Sequence, residues 1–131
     1  MCDAWAEPRW DSDTYERNHL NITTRDWKSS IARAWTGTKN AKAKYNPNFS
    51  RAQIEELELD CARGKAGQPI KTTGNIKTFY RRVPSHIQGR PIGASSGEDT
   101  EYIFVILQRD GSVHGYPITE TDLRSKKGVK L

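Results

Sequence analysis

Between Cys61 and Gly97 the chain contains neither aspartate nor glutamate, yet it carries Arg63, Lys65, Lys71, Lys77, Arg81, Arg82, His86 and Arg90. A second acid-free stretch, Trp27 to Ile54, holds Lys28, Arg33, Lys39, Lys42, Lys44 and Arg51. Metal-assisted DNA hydrolysis usually relies on carboxylates to hold the ion, and these segments offer none. Segregated positive charge focuses a field whose commonest partner is a polyanion. The net charge of +5 therefore points to nucleic acid.

Other absences narrow the field further. No apolar run reaches membrane-spanning length; the longest, residues 102–107, suits a strand. The N-terminus lacks the basic start and apolar core of a signal peptide. Cys2 and Cys61 are the only cysteines, and sequence does not establish their proximity. No Cys/His spacing suggests zinc, and His19, His86 and His114 are widely separated, so neither a metal nor another cofactor is expected. The phosphate-loop, nucleophile-elbow, zincin and zinc-deaminase patterns are all missing.

What is present reads as one α+β unit of 131 residues. Residues 1–37 read as a helical N-terminal extension and 38–131 as the α+β domain, with helices packed on a small antiparallel sheet. A short helix is expected over 12–20. A second, capped by Thr23 or Thr24, is expected to run to Trp35, with Trp27, Ile31, Ala34 and Trp35 as core positions. Residues 38–49 form a basic loop. Ser50-x-x-Gln53 is a capping-box pattern opening a helix whose face is Ile54, Leu57 and Cys61 and whose stop is Gly64. The acidic run Glu55, Glu56, Glu58 and Asp60 reads as its solvated face. Residues 65–75 read as turn-rich.

The pattern then changes to strands. Residues 76–83 are rich in β-branched and aromatic types and end at Pro84. Residues 85–97 read as a long loop, or a short strand and a loop. Residues 102–108 read as a central strand, joined through Arg109-Asp110-Gly111 to a partner over 112–118. Residues 120–131 form a basic tail with room for a short helix.

Period two sends His114, Tyr116 and Ile118 to one face of the last strand. A neighbouring strand adds either Lys77, Phe79 and Arg81 or Thr78, Tyr80 and Arg82 to that face. Metal-free RNA cleavage needs a base for the ribose 2′-hydroxyl, an acid for the leaving 5′-oxygen and a fixed cation. Histidine suits the first two roles near neutral pH, and Lys or Arg suits the third. The candidates are His86 and His114 as acid and base, Arg82 for the phosphate and Tyr116 for positioning. Lys42, Lys44, Lys77, Arg81 and Arg90 are candidate RNA contacts.

The order of features resembles the ribonuclease domain of colicin D and of contact-dependent inhibition toxins, in the barnase, EndoU, colicin and RelE-like group. The matching stretches are Ala41-Lys42-Ala43-Lys44-Tyr45, Phe79-Tyr80-Arg81-Arg82, and 102–107 followed by Asp110-Gly111-Ser112-Val113-His114-Gly115-Tyr116. The resemblance implies a toxin that cleaves RNA, often tRNA, without a metal. It also implies a cognate immunity protein, expected here to be acidic; the further expectations are a monomer, no membrane segment in the mature domain, and action in a target cell's cytoplasm after release from a larger secreted protein. The family's histidine beside the lysine cluster is absent, since Tyr45-Asn46-Pro47 stands there. The alternatives are a non-catalytic, phage-type regulator that binds nucleic acid through the same surface, or an inhibitor whose positive face docks on an acidic protein.

Overall fold

The computed structural model describes residues 5–19, 43–84, 91–95 and 98–131. The expected helix over Thr23–Trp35, Lys42, His86 and Arg90 lie outside them.

The fold is α+β. A five-stranded sheet has the order β1-β8-β7-β4-β3, with β1 (Arg9–Trp10), β3 (Gln68–Thr73), β4 (Ile76–Arg82), β7 (Tyr102–Gln108) and β8 (Ser112–Ile118). A smaller sheet has the order β2-β5-β6, with β2 (Lys44–Tyr45), β5 (Gly93–Ser95) and β6 (Glu98–Thr100). The β3–β4, β4–β7 and β7–β8 pairs are antiparallel, and β1 runs parallel to β8. The apolar run of β7 takes the central position because both of its faces are covered. Ile103 and Val105 are fully buried on one side and Phe104 is buried on the other.

Helix α1 (Ser12–Thr14) and a π-helical turn (Tyr15–His19) follow β1, close to the short helix expected over 12–20. Helix α2 (Arg51–Ala62) begins where expected. The Ser50 hydroxyl accepts from the Gln53 N–H and the Gln53 side chain accepts from the Ser50 N–H, so two orphan amides are satisfied. Its end is a Schellman motif: Lys65 N–H donates to Asp60 O and Gly64 N–H to Cys61 O, with Gly64 at φ +77°. A short helix α3 (Glu120–Ser125), capped by the Thr119 hydroxyl, lies on the other side of the sheet.

Three expectations are corrected. Residues 65–75 are not simply turn-rich: β3 occupies most of them, tolerating Pro69 because it is an edge strand with a register shift there. The basic loop contains β2. The acidic run is not wholly a solvated face: Glu58 is 1% exposed, while Leu57 is only half-buried. Ile54, Glu58 and Cys61 fall at i, i+4 and i+7, so the helix carries Glu58 on the face that packs on the sheet.

Residues 5–19 belong to the same packed body. Tyr15, Tyr45, Phe49, Ile54, Phe79 and Val105 share one core, with Trp5 and Trp10 packed against it. Fully burying an Ile or Val stabilises by roughly 1.5–3 kcal/mol, and Ile54, Ile103, Val105 and Val113 are all at 0% exposure. These few residues anchor a chain with only 34% hydrophobic content. Among the described residues, no helix is long and apolar enough to cross a membrane.

Candidate nucleic-acid interface

Strand register decides which candidates meet. Thr78 pairs with Ile106 and Ile106 with His114; Tyr80 pairs with Phe104 and Phe104 with Tyr116; Arg82 pairs with Tyr102 and Tyr102 with Ile118. His114 and Tyr116 thus share their face with Thr78, Tyr80 and Arg82. The opposite face, with Phe79, Val105 and Val113, packs under α2, with Trp5 and Trp10 against it. Lys77 and Arg81 alternate onto that side. Lys77 Nζ lies 4.5 Å from the centroid of the Trp5 ring. Arg81 lines a groove with Phe49, Leu57 and Asp60. Neither stands beside His114.

Arg82 shares the His114 face but sits four residues beyond Thr78, about 13 Å along the strand. Its Nε and Nη2 both donate to Glu101 Oε1, at 3.0 and 2.9 Å. Lys44, on β2, donates to Asn18 O at 2.6 Å.

The structure adds a residue to which the sequence assigns no role. The π-helical turn carries His19 over the edge of the sheet, where its ring stacks on Tyr116 with centroids 5.5 Å apart and an interplanar angle of 27°. His19 is 6% exposed. Its Nδ1 lies 2.7 Å from Ala43 O; a carbonyl only accepts, so this nitrogen is assigned the proton. Tyr116 also touches Phe104, at 5.4 Å between centroids. Burial first, and then the Asp122 charge, pushes the Tyr116 hydroxyl above its ordinary pKa. No sequence period links His19 to Tyr116. The signal that could have raised its prominence is the Asp11 cap, which opens the helical turn leading to it.

His114 is half-buried, and its Nδ1 is the one buried side-chain polar atom among the described residues with no hydrogen-bond partner. Such orphans are rare, and strain, a functional role or a bound water accounts for them. Asp11 lies within electrostatic reach of it. Burial raises the Asp11 pKa, but the bonds from the Thr14 N–H and hydroxyl, with the His114 and Arg17 charges, outweigh burial and lower it.

Lysines border the same face. Lys127 Nζ sits 4.3 Å from the Phe104 ring centroid, and Lys126 Nζ is 3.6 Å from Asp122. Both line a cleft with Ile70, Lys71, Thr78 and Phe104.

The strongly perturbed carboxylate is elsewhere. Glu58 accepts from Tyr45 Oη–H, from Trp10 Nε1–H at 2.9 Å and from the Gly115 N–H. Burial raises its pKa to about 7 against the opposing pull of those donors. It ties α2, β1, β2 and β8 together and has no opening to solvent, so its role is structural. Cys61, a free buried thiol beside it, is pushed to about 12, chiefly by burial. Among the described residues no group of three or more His, Cys, Asp or Glu side chains is arranged to hold a metal ion.

No protein-family model matches the chain, and neither do any curated protein or solved structure.

Proposed function

We propose that the chain is a ribonuclease domain of the toxin type, cutting RNA by acid–base attack of the 2′-hydroxyl, with His114 at its centre. The observation that carries the reading is the placement of His114 and Tyr116 on one sheet face, with a second imidazole, His19, stacked on that tyrosine. The Nδ1 of His114 is itself buried, so contact with the 2′-hydroxyl falls to the other ring nitrogen, Nε2. In the reaction the base takes the 2′-hydroxyl proton, the 2′-oxygen forms a bond to phosphorus, and the bond to the 5′-oxygen breaks as an acid protonates it. Lys44 and the lysines near Phe104 supply positive charge at the two ends of the face. The partner of His114 is either His19 or His86. The proposal extends to tRNA as a target, an acidic immunity protein as partner and a target cell's cytoplasm as the place of action.

Incubation with total RNA in chelator tests this. Cleavage by the native protein, lost in His114→Ala, is the expected result; intact RNA overturns it. His19→Ala and His86→Ala then identify the second imidazole. A second reading, a regulator that binds nucleic acid without cutting it, is favoured by the burial of His19, since a buried and bonded imidazole is more commonly structural. Lysine-dependent binding without cleavage selects that reading.

A further inference from the structure

The register that isolates Arg82 also builds a row across the sheet. Lys71 pairs with Thr78, Thr78 with Ile106 and Ile106 with His114. Residues in directly paired positions point to the same face, so these four side chains form one line over β3, β4, β7 and β8. The line spans three strand spacings, about 14 Å. Thr78, Ile106 and His114 are half-buried and Lys71 is exposed, so the row is open to solvent. The C-terminal end of α3 adds Lys126 and Lys127 at its β3 end, where they share a cleft with Lys71 and Thr78.

We propose that this cleft is a phosphate-binding subsite for single-stranded RNA, whose strand crosses the sheet along Thr78 and Ile106 toward His114. The inference deepens the reading above and rests on it only for what happens at His114. Three observations carry it. First, three lysines line one cleft, and among the described residues neither Lys71 nor Lys127 pairs with a carboxylate; Lys126 alone does, through Asp122. Second, Lys127 is held in place by the Phe104 ring, so less side-chain freedom is lost when an anion arrives. Third, the floor between the cleft and His114 is Ile106, with Tyr116 one row away. An apolar and aromatic floor is of no use to a duplex that shows phosphates outward, but it accommodates the faces of unpaired bases.

A direct test measures binding of a short fluorescent single-stranded RNA, 2′-O-methylated throughout so that it cannot be cut, against salt concentration. Lys71→Gln/Lys127→Gln keeps most of each stem and removes two charges. Arg63→Ala/Lys65→Ala, beyond the end of α2, removes two charges elsewhere. The expected result for the first pair is about a tenfold or greater loss of affinity. Its log–log salt slope should be shallower by about 1.4, the value for two phosphates no longer neutralised on a single strand, with little change for the second pair. Melting curves of each variant show whether it folds. If the first pair binds like the native chain, or if both pairs lose equally, the subsite is overturned. Duplex RNA bound as tightly as the single strand overturns the choice of substrate. Because the probe cannot be cleaved, the outcome is independent of the ribonuclease reading. Cleavage of ordinary RNA that is insensitive to these lysines sinks the subsite alone, and lysine-dependent binding without cleavage sinks the ribonuclease alone.

Discussion

The backbone N–H of Gly115 donates to the buried carboxylate of Glu58, and the same glycine leaves the space that the carboxylate occupies. A Cβ at 115 would lie 3.2 Å from Glu58 Cδ and 2.6 Å from Phe104 O, which no ordinary contact allows. Strand β8 therefore alternates the face that carries His114 and Tyr116 with a face carved out to receive an acid from α2. Gly115→Ala should destabilise by about 1–3 kcal/mol, the usual cost of overpacking. Urea denaturation measures it, and a neutral result would mean that Glu58 does not sit against β8.

Stability should also depend on Glu58. Its folded pKa, about 7, lies above its ordinary value of 4.5. A raised carboxyl pKa means the folded state holds the proton more tightly than the unfolded chain does. The contribution is therefore fully present below about pH 4.5 and is lost as pH rises through about 7. The difference is on the order of 3 kcal/mol. Melting of the native protein and of Glu58→Gln from about pH 5 to about pH 8 should show the native midpoint falling relative to the variant. Parallel curves would exclude the effect.

Removing a donor from the same carboxylate should also be felt. Tyr45 is 1% exposed and donates to Glu58. Tyr45→Phe leaves the carboxylate one bond short and should cost about 1–3 kcal/mol, with a further rise in the Glu58 pKa. The observable is a steeper fall of stability with pH than in the native protein.

The Cys61 thiol should be inert in the folded protein. It is fully buried and its pKa is pushed to about 12, so the thiolate is scarce at neutral pH. Peptide mapping after alkylation should find Cys61 unmodified in native buffer and modified in denaturant. Rapid native labelling would contradict the packing of α2 on the sheet.

For the proposed cleavage, His114→Ala should lower the rate in chelator by about 10²–10⁴-fold, the range of general acid–base contributions. Tyr116→Phe should have a smaller effect unless the hydroxyl itself touches the substrate. Lys77→Ala, which acts on the opposite face against Trp5, should leave cleavage unchanged after correction for stability. A large Lys77 effect with unaltered melting would place the site on the wrong side of the sheet.

Much of the fold is legible locally. The capping box at Ser50, the stop at Gly64 and the 102–118 hairpin all follow from short-range chemistry, and the structure has them. Strand β3 is hidden because Gln68-Pro69-Ile70-Lys71 carries edge chemistry, Pro and Lys, which reads as turn. Glu58 reads as solvated beside three neighbouring acids; only the donors from β1, β2 and β8 make its burial tolerable. Trp10 and His19, which lie in the expected N-terminal extension, are integral to the packed body because β1 pairs with β8.

The sequence by itself determined the α+β class, the segregation of positive charge and the shared face of His114 and Tyr116, because each rests on composition or on the period of a single strand. Tertiary structure decided everything that depends on register between distant segments. It put Lys77 and Arg81 on the opposite face, moved Arg82 along the strand, aligned Lys71 with His114 and brought His19 onto Tyr116. A one-residue shift in pairing inverts a face, and no local signal in these residues fixes which neighbour a strand will choose.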